Sequence, residues 1–218
     1  MFDKYKHRLI ICVPQRWHIG YNAFWKSVLK AVIVTNNSNN VRVLDIYTVE
    51  RKVDDDSRNI MVNEILKTDC THVLFLDDDH VIGKNDIINA VYSDIDVLGG
   101  LYFDRQYPHY PNVFKKDDEG YMCRWYGGVN CGLQEVDAIG TGFVLVKKSV
   151  FEKMEFPWFK WHEQVEGLKV TEKDVIGCDV VFSVKAHNLG FKVVCDTNMV
   201  IDHIGADTTI NAENGFRG

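Results

Sequence analysis

Leu74-Phe75-Leu76-Asp77-Asp78-Asp79-His80 runs three apolar residues straight into three carboxylates. Thr71 to Leu76 predicts a buried strand, because it is a short apolar run with a β-branched residue. The acids then fall at its C-terminal end, where open α/β sheets bind ligands. Adjacent carboxylates repel one another and are costly to gather without a cation. Hard oxygen ligands suit Mg²⁺ or Mn²⁺, and those ions commonly also hold a phosphate. The stretch therefore predicts a metal-diphosphate site. A solvated acidic turn opening a helix at Lys84 is the plainer reading of the same residues.

Outward from this stretch, strand and helix alternate. Arg8 to Val13 predicts a strand, and Tyr21 to Val34 a helix with Phe24, Val28, Ala31 and Val32 on one face. A turn cluster at Asn36 to Asn40 leads into a strand over Val41 to Tyr47. Asp56 to Lys67 predicts a helix with Ile60, Asn63, Glu64 and Lys67 spaced along it, its opening acids suiting the helix dipole. After the Asp strand come a short helix over Asn85 to Tyr92 and a strand over Asp96 to Phe103. This order implies an α/β fold with a parallel sheet and right-handed crossovers. Asp104 to Gly132 is rich in Tyr, Pro, Gly and charge and predicts long functional loops, with room for a hairpin. Gln134 to Val146 is strand-like around Gly140-Thr141-Gly142, and Ser149 to Met154 predicts a short helix. Asp174 to Asn188 predicts a helix closed by Gly190, followed by extended runs at Phe191 to Cys195 and Met199 to His203.

The chain has 218 residues, 46% of them hydrophobic and 26% charged, which allows one domain with a sizeable core. A net charge of −6 without basic runs argues against a nucleic-acid partner. No apolar run reaches signal-peptide or membrane-span length, so a cytoplasmic protein without an integral membrane segment is expected. The six cysteines form no CxxC pair; a zinc ribbon, a redox motif or a disulfide framework is not expected, and Cys12 and Cys195 fit strands as small hydrophobes. Neither a Walker A sequence nor GxGxxG is present, so phosphates would need metal and side chains.

Other residues each carry two readings. His203, at the end of Val200-Ile201-Asp202, could complete a metal shell with Asp79 or be a hydrogen-bonded strand-end histidine. Arg58 could pair with the acids, reach a phosphate, or sit at the surface among Asp54, Asp55 and Asp56. Asp179, opening a helix, could be a cap or a general base. Trp158, Trp161, Trp125 and Tyr126 could stack on sugar rings or fill the core, and Tyr102, Tyr107, Tyr110 and Tyr121 share that ambiguity.

In combination these pieces resemble the family 2-like glycosyltransferases of GT-A fold. The match runs from residue 8 to 205: Val13-Pro14; Ser57-Arg58-Asn59; Phe75-Leu76-Asp77-Asp78-Asp79 as the DxD motif; Val97-Leu98-Gly99-Gly100; Gly140-Thr141-Gly142-Phe143; Asp179-Val180-Val181-Phe182; Gly190-Phe191; and His203. The resemblance implies a Rossmann-like three-layer α/β/α sandwich with a mostly parallel central sheet. It implies one domain over residues 1–210, with a nucleotide-binding half over 8–103, an acceptor and catalytic half over 104–210, and a tail over 211–218. Pro14, Arg58, Asp77 and Asp78 would face the nucleotide. Asp77, Asp79 and His203 would hold Mn²⁺ or Mg²⁺. Asp179 would be the base of an inverting displacement. Gly140, Thr141, Gly142, Trp158 and Trp161 would face the acceptor. The partners implied are a nucleotide-sugar, a UDP-sugar foremost with GDP and dTDP as alternatives, and a glycan or glycoconjugate hydroxyl.

Two departures from the pattern stand out. Cys178 occupies the place of a Glu common in the family, and Pro14-Gln15-Arg16 replaces its Pro-x-x-Asn. The small size is similar to transferases of phages and large DNA viruses, which would place the protein in a host cytoplasm. Three other readings remain open: a sugar-phosphate nucleotidyltransferase, whose Gly-rich basic loop the stretch Pro14 to Gly20 lacks; a non-catalytic nucleotide-sugar or glycan-binding domain; and a metal-dependent phosphatase.

Overall fold

The computed structural model describes residues 5–15, 21–50, 52–170, 177–205, 209–213 and 215. Arg16 and the rest of 16–20, residues 171–176 where a helix was expected to begin, and 214 and 216–218 of the tail lie outside the described residues.

The elements run β1 (His7–Gln15), α1 (Asn22–Asn36), β2 (Val41–Glu50), α2 (Asp54–Ile65), β3 (His72–Leu76), β4 (His80–Val81), α3 (Asp86–Tyr92) and β5 (Val97–Leu101). They continue with β6 (Val113–Lys116), β7 (Met122–Arg124), β8 (Leu133–Glu135), β9 (Ala138–Ile139), β10 (Phe143–Lys147), α4 (Lys148–Lys153), α5 (Cys178–Asn188), β11 (Val193–Val200), β12 (Asp202–Ile204) and β13 (Thr209–Ile210). A seven-stranded sheet in the order β2-β1-β3-β10-β5-β11-β8 forms the centre. Strands β2, β1 and β3 are mutually parallel, and β5 and β11 continue in that direction.

The sheet is mixed and mostly parallel, as expected, but two of its strands run in reverse. β10 lies antiparallel between β3 and β5, and β8 is antiparallel at the β11 edge. The expected strand over 134–146 is thus three short strands, β8, β9 and β10. β10 is apolar on both faces: Val144 and Val146 pack into one core cluster, Phe143 and Leu145 into the other. A strand buried on both faces reads the same in either direction, so its pattern carries no polarity. The two halves expected from the sequence share this one sheet.

Alternation builds three layers. Ile10 and Cys12 of β1 face the cluster shared with Met61, Phe151 and Phe182 of α2, α4 and α5, while Leu9, Ile11 and Val13 face Phe24, Val28 and Ile87 of α1 and α3. The buried face of α2 is Ser57, Arg58, Met61, Val62 and Ile65, whereas Ile60 is exposed. A buried arginine on that face hides its apolar period from the sequence. Glycine closes α5: Gly190 has φ +83°, and its N–H donates to His187 O at 2.8 Å.

At the opposite, N-terminal end of β3, His72 is buried with its Nδ1 2.7 Å from Thr71 Oγ1 and no partner for Nε2. Burial first, then the His7 and Lys147 charges, lower its pKa from 6.5 to about 4. The fold therefore keeps His72 neutral while the unfolded chain takes up a proton. That stability is present above pH 6.5 and is lost as pH falls towards 4. Chemical unfolding at pH 7 and pH 5 should show a loss of about 2 kcal/mol from this group, and His72→Gln should flatten that part of the slope. An unchanged slope in the variant would show that His72 does not carry it.

Candidate metal centre at the end of the third strand

The carboxylates emerge where β3 ends. Asp77 N–H donates to Gly142 O at 3.0 Å, so the turn after β3 is tied to the one before β10. Asp77, Asp78 and Asp79 line a cleft of about 400 Å³ with Pro14, Lys52, Arg105 and Trp161. Pro14 comes from the end of β1, as strand order alone would place it.

Asp79 is the focus. Its Oδ2 lies 3.4 Å from His203 Nε2 and 3.0 Å from Arg105 Nη1, and its Oδ1 lies 3.0 Å from His80 Nδ1. β12 pairs antiparallel with β4 so that His203 stands opposite His80, and the two rings stack with centroids 4.3 Å apart. His203 Nδ1 lies 2.7 Å from Phe103 O, and a proton held there leaves Nε2 two roles: protonated it donates to Asp79, and deprotonated it is the acceptor a metal ligand needs to be. His80 is 1% exposed, with its Nδ1 paired to Asp79 Oδ1 and its Nε2 without a hydrogen-bond partner. Ligand atoms of Asp79, His80 and His203 all lie within 4.8 Å of one another, a spacing that a single cation can bridge. Burial would raise the Asp79 pKa, but hydrogen bonds and charge from His203 and His80 outweigh it and hold the carboxyl well below the usual range. Beside it, burial and the charges of Asp79 and Asp77 push Asp78 up to about 6.

Asp77 corrects the expected ligand set. Its Oδ1 accepts from Arg58 Nη2 at 2.7 Å, and it stands outside the Asp79–His80–His203 group. Arg58 is 3% exposed beneath the cleft, so it anchors Asp77 and does not reach outward for a phosphate. Burial opposes its charge, but the carboxylates Asp77, Asp54 and Asp179 together keep its pKa raised. Replacing Arg58 with methionine leaves Asp77 uncompensated in a half-buried site. The variant should lose about 3–5 kcal/mol in urea unfolding; a loss under 1 kcal/mol would show the pair to be dispensable.

Asp179 lies in the first turn of α5 and accepts from Val180 N–H at 2.9 Å, without capping the helix end at Gly177. Burial raises its pKa, against the Val180 N–H and the charges of Arg58 and Arg124. Its field also acts on buried Tyr102, as does that of Asp77. Cys178 is buried and its thiol is pushed up to about 12, so the residue beside the candidate base is uncharged.

The expected acceptor residues divide. Trp161 is 38% exposed on the cleft wall. Trp158 is core: its indole Nε1 donates to Phe151 O at 3.1 Å and Met154 O at 3.0 Å, which excludes it from a stacking platform. Asn59 sets both. Its Oδ1 accepts from the Trp158 and Phe159 N–H groups, each at 3.1 Å, and its Nδ2 donates to Phe159 O at 2.7 Å, pinning the segment before Trp161 to α2.

Gly140, Thr141 and Gly142 are buried and are not among the residues lining the cleft at the acids. Their work is close approach: Gly142 N–H donates to Tyr102 Oη at 3.0 Å, and a Cβ at Gly142 would meet the His80 ring at 2.7 Å. Glycine there makes room for the histidine stack. The sequence reading missed His80, which follows the acids directly, and Arg105, whose only signal was its place in the long loop after β5.

The fold and site thus define an α/β protein with a mixed, mostly parallel sheet and a candidate cation centre at the C-terminal end of β3. No family model matches the chain, and no curated protein does. Among solved structures, A197 from STIV is similar, with 19% identity, a TM-score of 0.57, and 94% of this chain and 93% of that chain covered. That likeness carries the fold alone.

Proposed function

We propose that the protein is a metal-dependent glycosyltransferase of GT-A type that moves a sugar from a nucleotide-diphosphate donor, foremost a UDP-sugar, to a hydroxyl of a glycan. The observation that carries this reading is the convergence of Asp79, His203 and His80 at the end of a parallel strand, in a cleft walled by Pro14 and Trp161. The donor set of one carboxylate oxygen and two imidazoles accepts Mn²⁺ more readily than Mg²⁺, because imidazole suits transition ions. Asp79 and His203 would hold that ion, with Asp78 and Asp77 adding negative charge around it. When bound, a divalent ion neutralises the charge of a departing nucleoside diphosphate. Asp179 takes the proton of the attacking hydroxyl, and its raised pKa suits a base that must also hold the proton. Trp161 offers a face on which a base or sugar ring can stack.

A second hollow of about 560 Å³ adjoins the centre on the His203 side and is walled by Asp104, Gln106, Tyr107, Pro108 and Tyr110. Tyr107 is 74% exposed, and it and Tyr110 supply the aromatic surface for the acceptor that Trp158 does not. Among the described residues no helix is long and apolar enough to cross a membrane.

Thermal shift with UDP-, GDP- and dTDP-sugars, each with and without Mn²⁺, tests the reading. A cognate donor at a hundred times its dissociation constant should add about 2.7 kcal/mol, and only with the metal. No stabilisation by any nucleotide-sugar in the presence of Mn²⁺ would sink it.

A further inference from the structure

Arg105 stands between the two hollows and lines both. Its Nη1 is 3.0 Å from the Asp79 oxygen that faces His203 Nε2, and among the described lysines and arginines it alone is ion-paired to Asp79. The pair is lopsided: the arginine side chain is 45% exposed and the carboxylate 15%. A cation taken up by Asp79 Oδ2 and His203 Nε2 needs the same oxygen, and its charge repels the guanidinium. An exposed arginine can leave such a pair at small cost, since pairing at the surface contributes little. Displaced at the mouth of the cleft, its planar fork is a strong partner for phosphate oxygens.

We propose that Arg105 is a positioning residue with two successive partners: it holds the charge of Asp79 in place of the metal, and on metal uptake it transfers to the diphosphate of the donor. The second half rests on the nucleotide-sugar reading above; the first rests only on the cation centre.

Calorimetric titration of wild type, Arg105→Gln, Arg105→Lys and Asp79→Asn with MnCl₂ alone, then of the Mn²⁺-saturated proteins with UDP, tests both halves. Arg105→Gln should bind Mn²⁺ about tenfold more tightly than wild type, because a competing charge is gone. The same variant should then bind UDP about tenfold more weakly, the worth of a charged hydrogen bond to phosphate. Arg105→Lys should keep wild-type Mn²⁺ affinity and lose part of the UDP affinity, since it retains charge without the fork. Equal or weaker Mn²⁺ binding by Arg105→Gln overturns the placeholder, and undiminished UDP binding overturns the transfer. Wild type that binds Mn²⁺ no better than Asp79→Asn removes the metal centre and the proposal together. Wild type that binds Mn²⁺ through Asp79 but no nucleotide leaves the placeholder standing and sinks the transferase reading.

Discussion

Asp79→Asn should abolish Mn²⁺-dependent binding of a nucleoside diphosphate while the protein stays folded. The substitution keeps the shape of the side chain and removes the charge on which His203, His80 and Arg105 converge. Losing a partner of a metal ligand already costs about 10–100-fold in metal affinity, so losing a direct ligand should cost more than about 100-fold. In a melting experiment the stabilisation of about 2.7 kcal/mol expected at saturating donor should vanish. Asp78→Asn is the matched control. It removes an equal charge from the same cleft, but Asp78 is not one of the residues whose ligand atoms converge. It should weaken binding only several-fold. Equal losses in the two variants would mean that the acids act as a diffuse negative field and that Asp79 is no specific ligand.

Asp179→Asn should lower the rate of sugar transfer by about 10²–10⁴-fold, the usual worth of a general base. Donor binding should stay near wild type, because a base acts on the acceptor hydroxyl. The structure supplies a rival role that the same variant separates. Asp179 is one of several carboxylates whose charge sustains buried Arg58. If compensation of that arginine is its work, Asp179→Asn should lower unfolding stability and weaken donor binding through Asp77, with kcat falling only in proportion. Urea unfolding measured beside single-turnover transfer distinguishes the two outcomes. The anomeric configuration of the product, read by NMR, is independent of the variant. Retention of the donor's configuration would contradict a single displacement with Asp179 as base.

How much of this was legible beforehand differs by element. The strand ending in Asp77 was readable because both signals are local: a short apolar run, and charges that cannot continue into a core. α1 was readable for the same reason, since Phe24, Val28 and Ala31 recur at the helical period and are all buried. Arg58 of α2 was left open between pairing with the acids, reaching a phosphate and lying at the surface, and only the folded chain sets it on the buried face beside Asp77. The glycines of Gly140-Thr141-Gly142 were noticed as acceptor-facing, and the structure buries them. Their reason is the space occupied by the Tyr102 and His80 rings, which no local pattern encodes.

The sequence by itself determined the α/β class, the strands β1, β2, β3 and β5 with their helices, and the placing of three acids at a strand's end. Each follows from short-range periodicity and from the cost of burying charge. Tertiary structure alone decided that β10 enters the sheet between β3 and β5 in reverse, since a strand apolar on both faces carries no direction. It alone set His203 against His80, because that contact depends on the register of β4 and β12, segments far apart in the chain. It also decided which acid meets the histidines: Asp77 is turned to Arg58 and Asp79 to the imidazoles. Neighbouring identical side chains differ only in the direction the folded backbone points them.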